Sequence, residues 1–566
     1  MIDCFVSRHL TKYVIEAYLR YIYCFLTLYS GMIRRLLIII VIVLPGMSAC
    51  KKKEVSTATP PPVTPPAVSY SYSSDRSQNL NVVYFIPNDV SIPADHHRRL
   101  SEILLNAREF FGKEMQRNGY GLKTFGLLTD DAKKRIKLIE IKGKQGKAAY
   151  PYNGGSGAVQ AEIAEFKSAN PTAFTSDHYL VIIPAYTYDA SGEPGGPPFY
   201  GVGKTCFALD YADQDIKHLG AGGTLGNRAT KWIGGMIHEL GHGLNLPHNR
   251  QKAVSENNLG MSLMWAGNST WGVSPTFLTA ADCAVLNTNQ VFNTENKTYY
   301  GQVSSSILRI YVVYEAGRKA IVARGKYKSS APVTDLIFFH DPNVNNEGVG
   351  VNRDYNSIAW TAKPIAADSF YVEMPVADLV EKADNIPYEF KVKLVHDNGS
   401  VNENYYAYTF LGGLPVLDFS TKAELTKQGW SVMGFSSEET SGEGASNGRA
   451  LQVIDGNATT YWHSRWTSNA AAYPHELIID MGAVATAKGL SITQRGGLSR
   501  AVKDAELFIS TDGMTYVSAG IFQFRNANGV QYYDFNSPKS FRYFKLVVRS
   551  AWDGLQFASL AEVGFY

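Results

Sequence analysis

Cysteine is nearly missing from this chain of 566 residues: there are five, and beyond position 50 only Cys206 and Cys283. Two thiols cannot staple a disulfide-built scaffold of this length, and neither lies in a CxxC spacing, so stability must come from apolar cores and any metal site from other ligands. In an oxidising compartment the two either pair with each other or stay as buried thiols, and their spacing leaves both open. An excess of one charge is missing too, with 54 Lys and Arg against 51 Asp and Glu. Residues 1–49 hold five of those basic and two of those acidic side chains, so the remainder balances at forty-nine of each, and no nucleic-acid partner is expected. Long apolar runs are confined to LLIIIVIVLPGMSA at residues 36–49.

That run follows Arg34-Arg35 and ends in Met47-Ser48-Ala49-Cys50, which gives it the charged, apolar and small-residue regions of a secretory signal. An uncleaved anchor is the alternative, but the apolar core falls short of the roughly 20 residues a membrane span needs. The ending resembles a bacterial lipobox. It implies cleavage before Cys50, lipidation of Cys50 and a lipoprotein of the bacterial cell envelope, at the outer membrane or cell surface, touching the membrane through the lipid alone. Residues 1–31 read as an upstream extension, with Met32 as the start. Residues 50–78, rich in Pro, Ser and Thr, read as an extended tether.

The rest is too long for one core, and about three domains are expected. Residues 79–295 alternate strand and helix: NVVYFIPN, RIKLIEIKG, DHYLVIIPAY and KTCFALDYA read as strands, residues 93–117 and 158–169 as helices. Residues 300–412 turn to short alternating strands, which argue an immunoglobulin- or fibronectin-like β-sandwich acting as a spacer. Residues 415–566 form the last part.

The stretch at residues 236–249, MIHELGHGLNLPHN, concentrates chemistry. His238 and His242 are four apart, so on a helix their imidazoles leave one face one turn apart, within reach of one metal ion. Ile233, Ile237, Leu240 and Leu244 mark the buried face of that helix, which reads as starting near Arg228. An HExxH alone is as well explained by hydrogen-bonded core histidines, and His248 shifts the balance. With it the segment reads HExxHxxxxxH and resembles the metzincin clan of zinc endopeptidases. The resemblance implies Zn²⁺ held by His238, His242 and His248, with Glu239 as general base for the activated water. The clan's usual Gly in this motif is Asn245 here, the non-glycine residue that best tolerates a left-handed turn. It further implies a methionine turn beneath the metal, assigned to Met264 in Ser262-Leu263-Met264-Trp265. Some members add a tyrosine ligand two residues on; here Ala266 stands there, so no tyrosine is expected. The fold implied is an α/β (α+β) catalytic domain, with residues 205–211 as the edge strand that pairs with substrate.

GRALQVIDGNATTYWHSRW (448–466) and FRYFKLVVRSAWDGLQFASLAEVGFY (541–566) resemble the discoidin, or coagulation factor 5/8 type C, family. That resemblance implies a β jelly roll, a structural Ca²⁺ at Asp455, Asn457, Thr460, Ala561 and Glu562, and a glycan site drawing on His463, Arg465, Trp466 and Arg495. Trp462 is expected in the core. Together the parts point to a membrane-tethered zinc metalloendopeptidase acting on a protein, more narrowly a glycoprotein. The competing readings are a glycan-binding adhesin with a structural or inactive zinc domain, and a hydrolase of non-peptide amides or esters.

Overall fold

The computed structural model describes residues 69–344, 354–366, 368–384, 386–417, 419 and 422–566. Cys50 and most of the expected tether lie outside them. No helix among the described residues is long and apolar enough to cross a membrane. The chain is multidomain and strand-rich, with few helices.

The first domain is built on β1 (Asn81–Ile86), α1 (His96–Arg117), β2 (Ile139–Lys142), α2 (Gly155–Ala169), β3 (Tyr179–Pro184), β4 (Gly201–Val202), β5 (Thr205–Asp210), α3 (Gly223–Gly243) and α4 (Ala280–Thr288). The strands lie in the order β2-β1-β3-β5-β4, parallel except for β4. Because successive strand side chains point to opposite faces, Val82, Tyr84 and Ile86 meet one helical layer and Val83 and Phe85 another. The first face packs on α1 and α3 through Leu100, Leu104, Ile233 and Ile237. The second packs on α2 through Val159 and Ile163. A sheet covered on both sides explains why its strands read as unbroken apolar runs.

Two expectations need correction here. RIKLIEIKG is not one strand: Arg135–Ile136 pairs with Thr129–Asp130 in a separate ribbon, and only β2 joins the main sheet. Nor is the 205–211 segment the sheet's edge, because β5 lies inside, hydrogen-bonded to β3 and to β4. The edge over α3 is β4, preceded by a loop in which Gly192, Gly196 and, just after it, Gly203 take φ of 78, 109 and 58°.

The second domain comprises β6 (Ser305–Glu315), β7 (Ala320–Ser329), β8 (Val333–Pro342), β9 (Ile358–Ala362), β10 (Ser369–Pro375), β11 (Tyr388–His396) and β12 (Val401–Leu411). They make two antiparallel sheets, β6-β7-β10 and β9-β8-β11-β12, the latter edged by Leu414–Val416. Leu336, Phe338, Phe390 and Val392 fill the space between the sheets. The opposite face of β8, β9 and β11 is not exposed. Ile337, Phe339, Ala359 and Val395 belong to the same core as α1, α3 and α4. Each such large apolar side chain contributes about 1.5–3 kcal/mol on burial, so this domain is no spacer but a wall of the first domain.

The third domain is a β-sandwich whose main sheet is carried by two long strands, His475–Thr493 and Val530–Val548. Trp462 is fully buried in its core, its indole N–H donating to Ser437 O at 2.9 Å. The domain is tied to the second by the Asn528 N–H donating to Glu389 and by Asn343 Nδ2 donating to Asn526 O.

Candidate active site

Helix α3 carries His238, Glu239 and His242 and ends at Gly243. Its termination is a Schellman arrangement: Leu246 N donates to Gly241 O at 3.0 Å and Asn245 N to His242 O at 2.9 Å, with Asn245 at φ 71°. This left-handed residue turns the chain back so that Pro247 and His248 return over the helix. Asn245→Ala is expected to cost about 1–2 kcal/mol, the left-handed penalty for an ordinary L-residue, whereas Asn245→Gly avoids that penalty; urea denaturation of the two variants checks it.

The three histidines converge. Their nearest nitrogens all lie within 4.8 Å of one another, and Nε2 of His242 stands 3.1 Å from Nε2 of His248. His238 Nδ1 lies 2.7 Å from Leu263 O and His242 Nδ1 2.9 Å from Leu246 O. A carbonyl only accepts, so both Nδ1 atoms carry the proton and both Nε2 lone pairs are left for the site. Burial, helped by the neighbouring His242 and His248, pushes His238 down to about 3, and burial pushes His242 down as well. Neutral, converging imidazoles in a desolvated pocket suit a zinc ion. Two nitrogens on one tetrahedral zinc stand roughly 3.4 Å apart, close to the separation seen between His242 and His248.

Glu239 shares a cleft of about 540 Å³ with these rings, lined also by Tyr200, Gly201 and Asn245. Burial raises its carboxyl to about 8, against a backbone hydrogen bond from Gly201. Gly201 lies so close over the helix that a Cβ there would fall 2.5 Å from His242 Cβ.

Met264 is buried beneath the helix, its sulfur 2.4 Å from where a Cβ on Gly241 would be, so the glycine makes room for it. The turn that carries Met264 also supplies Leu263 O to His238. Sequence reasoning missed the brace on the third histidine: Asn249 Nδ2 donates to Asp282 Oδ1 at 2.6 Å, and Asp282 is the capping-box residue of α4. It missed Tyr355 too. No tyrosine follows Met264, but Tyr355 arrives from the second domain with its ring centroid 4.5 Å from that of His248. Cys206 and Cys283 are separate buried thiols, the first against Gly243 and the second against Asn118.

In the third domain, Thr460 Oγ1 donates to Asp455 Oδ2 at 2.6 Å, and the Asn457 amide donates to Asp455 Oδ1 at 2.8 Å. Glu562 faces the same turn beside buried Ala561. Burial raises its carboxyl to about 7, Lys427 pairs with Oε2, and Oε1, turned toward Asp455 and Asn457, is buried with no hydrogen-bond partner among the described residues. These hard oxygens fit a calcium ion, with the orphaned Glu562 oxygen as the group it would satisfy.

The residues expected at the glycan site gather around one that sequence reasoning overlooked, Glu443. Its carboxylate accepts from Tyr461 Oη at 2.6 Å and Trp466 Nε1 at 3.0 Å, and lies 3.2 Å from Arg495 and 3.7 Å from His463. Arg495 also stacks over Tyr461 at 4.0 Å. Trp466 is 43% exposed, whereas His463 is buried. Arg465 does not join them; it points back to Asn469 O of its own loop. Despite the cost of burial, four backbone amides hold the neighbouring Glu439 ionised well below the usual carboxylate range, fixing the two loops against each other.

Residues 435–563 match the F5/8 type C domain family. A sialidase from Micromonospora viridifaciens is 36% identical over 138 residues, and a galactose oxidase from Gibberella zeae 26% identical over 145. The chain spans about 20% of the length of each of these curated relatives. Among solved structures, wild-type OgpA from Akkermansia muciniphila is 36% identical, with a TM-score of 0.56 over 61% of this chain and 96% of that one. A catalytically inactive OgpA in complex with an O-glycopeptide substrate, glycodrosocin, matches at 36% identity and TM-score 0.56, over 62% of this chain and 97% of that one. With 36% of the aligned residues identical across nearly the whole of OgpA, the chain belongs to the OgpA family and adds to it an F5/8 type C domain.

Proposed function

We propose that this protein is a zinc-dependent endopeptidase of metzincin type that cuts O-glycosylated polypeptides. The observation that carries the reading is the convergence of His238, His242 and His248 on one point beside Glu239, in a chain similar to a protein crystallised with an O-glycopeptide substrate. A zinc ion held by the three histidines would supply Lewis acidity, lowering the pKa of a water and polarising the scissile carbonyl. Glu239 takes a proton from that water as its oxygen bonds to the carbonyl carbon, then delivers the proton to the amide nitrogen as the C–N bond breaks, releasing a carboxylate and an amine. The short edge strand β4, directly over His242, offers backbone groups along which a substrate can lie extended. His238 and His242 stay neutral because they are buried, which keeps their lone pairs available.

The third domain would bind glycan at the Glu443 cluster, with Trp466 stacking on a sugar face and Arg495 donating to hydroxyls, and would hold Ca²⁺ at Asp455, Asn457, Thr460, Ala561 and Glu562. Lipidation at Cys50 would tether the enzyme to the cell envelope. The adhesin reading leaves Glu239 without a purpose in the cleft.

Mass spectrometry of a synthetic O-glycopeptide and its unglycosylated twin, incubated with the wild-type protein, tests the proposal. Cleavage of the glycosylated peptide alone is expected; cleavage of neither sinks it. On immobilised glycans, Glu443→Ala is expected to lose about 10-fold or more in retention, because Arg495 and Tyr461 lose a charged partner, with short-glycopeptide cleavage unchanged.

A further inference from the structure

His238 and His242 are rungs of one helix, so the backbone of α3 sets their spacing. His248 has no such frame. It lies beyond the left-handed Asn245 on an extended segment, and its ring must be placed by contacts from elsewhere in the fold. One such contact comes from the second domain, where the ring of Tyr355 lies 4.5 Å from His248 at an interplanar angle of 45°. Around this pair the two domains are joined by backbone. Arg250, two residues past His248, donates its N–H to Ser357 O at 2.7 Å, and Arg250 bridges Ile358 in parallel register.

The tyrosine's own segment is anchored with unusual care. Asp354, the preceding residue, pairs with Lys391 and lies 3.4 Å from Lys393. Both lysines are buried on the face of β11 turned away from the sandwich interior, where Asp341, Glu389 and Glu403 complete the network. Ser357 N donates to Asp354 O at 2.9 Å, closing a turn that carries Tyr355. Breaking a buried ion pair by removing one partner is costly, so this network gives the turn one position.

We propose that Tyr355 is a positioning residue for the third histidine, acting through its ring, so that the second domain is a working part of the metal site. The inference rests on the zinc reading above. A neighbour that orients a ligating imidazole typically governs metal affinity by about 10- to 100-fold when removed.

The test is zinc affinity of the full chain, measured by competition with a chromophoric chelator, together with the visible spectrum of the Co²⁺-substituted protein. Tyr355→Ala is expected to weaken zinc binding at least about 10-fold and to alter the cobalt bands, while Tyr355→Phe, which keeps the ring, stays within about 2-fold of wild type. Tyr355→Leu gives a third reading should the alanine variant fold poorly; intermediate loss is expected. Wild-type affinity in the Ala or Leu variant overturns the inference, as does a Phe variant that loses as much as Ala. Failure is separable from that of the parent reading: a wild type that takes up no zinc overturns both, whereas a wild type that binds zinc and cleaves, beside an unaffected Tyr355→Ala, overturns only this one.

Discussion

Glu239→Gln is expected to lower kcat by about 10²- to 10⁴-fold on an O-glycopeptide, the range for losing a positioned general acid–base, without reducing zinc content. Gln keeps the shape and can still accept from Gly201, but it cannot shuttle a proton. KM should move little, because the residue works on the water and the leaving group more than on substrate binding. A second readout is independent of catalysis. In the metal-free protein burial lifts the Glu239 carboxyl from its ordinary value near 4.5 to about 8. Between those values the folded protein holds a proton that the unfolded chain has released, so the stability contributed by the protonated carboxyl is full at low pH and is lost as pH rises toward 8. The Gln variant has nothing there to ionise. Urea midpoints of metal-free wild type and Glu239→Gln should therefore diverge, in favour of Gln, as pH goes from 5 to 8. Zinc should reverse the wild-type trend, since a nearby cation favours the carboxylate. Unchanged kcat in the Gln variant would end the general-base assignment.

The site was legible in the sequence where local geometry decides it. An i, i+4 pair of histidines on an amphipathic helix must share a face, and Asn245 tolerates the backbone that brings His248 back. What escaped was set by tertiary closure. Tyr355 reaches His248 only because β8, β9 and β11 lay their outer face on the first domain. In YEFKVKLVH the residues Glu389, Lys391 and Lys393 alternate with apolar ones and read as a solvated face. They are buried as ion pairs instead, and alternation alone cannot distinguish the two. Glu443 was hidden in the same way, in a Gly- and Ser-rich stretch with no periodicity, its importance visible only once Tyr461, Trp466 and Arg495 close around it. The misplaced edge strand is different. The unbroken apolar run of TCFALD already signalled a strand covered on both faces and therefore an interior one, whereas the two residues of β4 are too few to announce an edge.

His242→Ala is expected to abolish zinc binding outright, because it removes one of the three converging ligands and leaves two nitrogens, those of His238 and His248, on separate elements. Zinc at about a thousand times its dissociation constant stabilises a protein that binds it only when folded by roughly 4 kcal/mol, so the wild-type melting temperature should rise on adding zinc and that of the variant should not. A chelator should lower the wild type to its metal-free melting temperature and stop cleavage, both reversed by adding zinc back. Acid should act on the same groups. His238, held down to about 3 in the folded protein against an ordinary value of 6.5, binds no proton where the unfolded chain does. Its contribution to stability is thus complete above 6.5 and is lost as pH falls toward 3, and burial gives His242 the same sign. Protonation competes with metal for the same nitrogens, so zinc should steepen the loss. A melting temperature that ignores zinc at pH 7, yet drops on acidification, would mean that these histidines are core residues and that the cleft has another purpose.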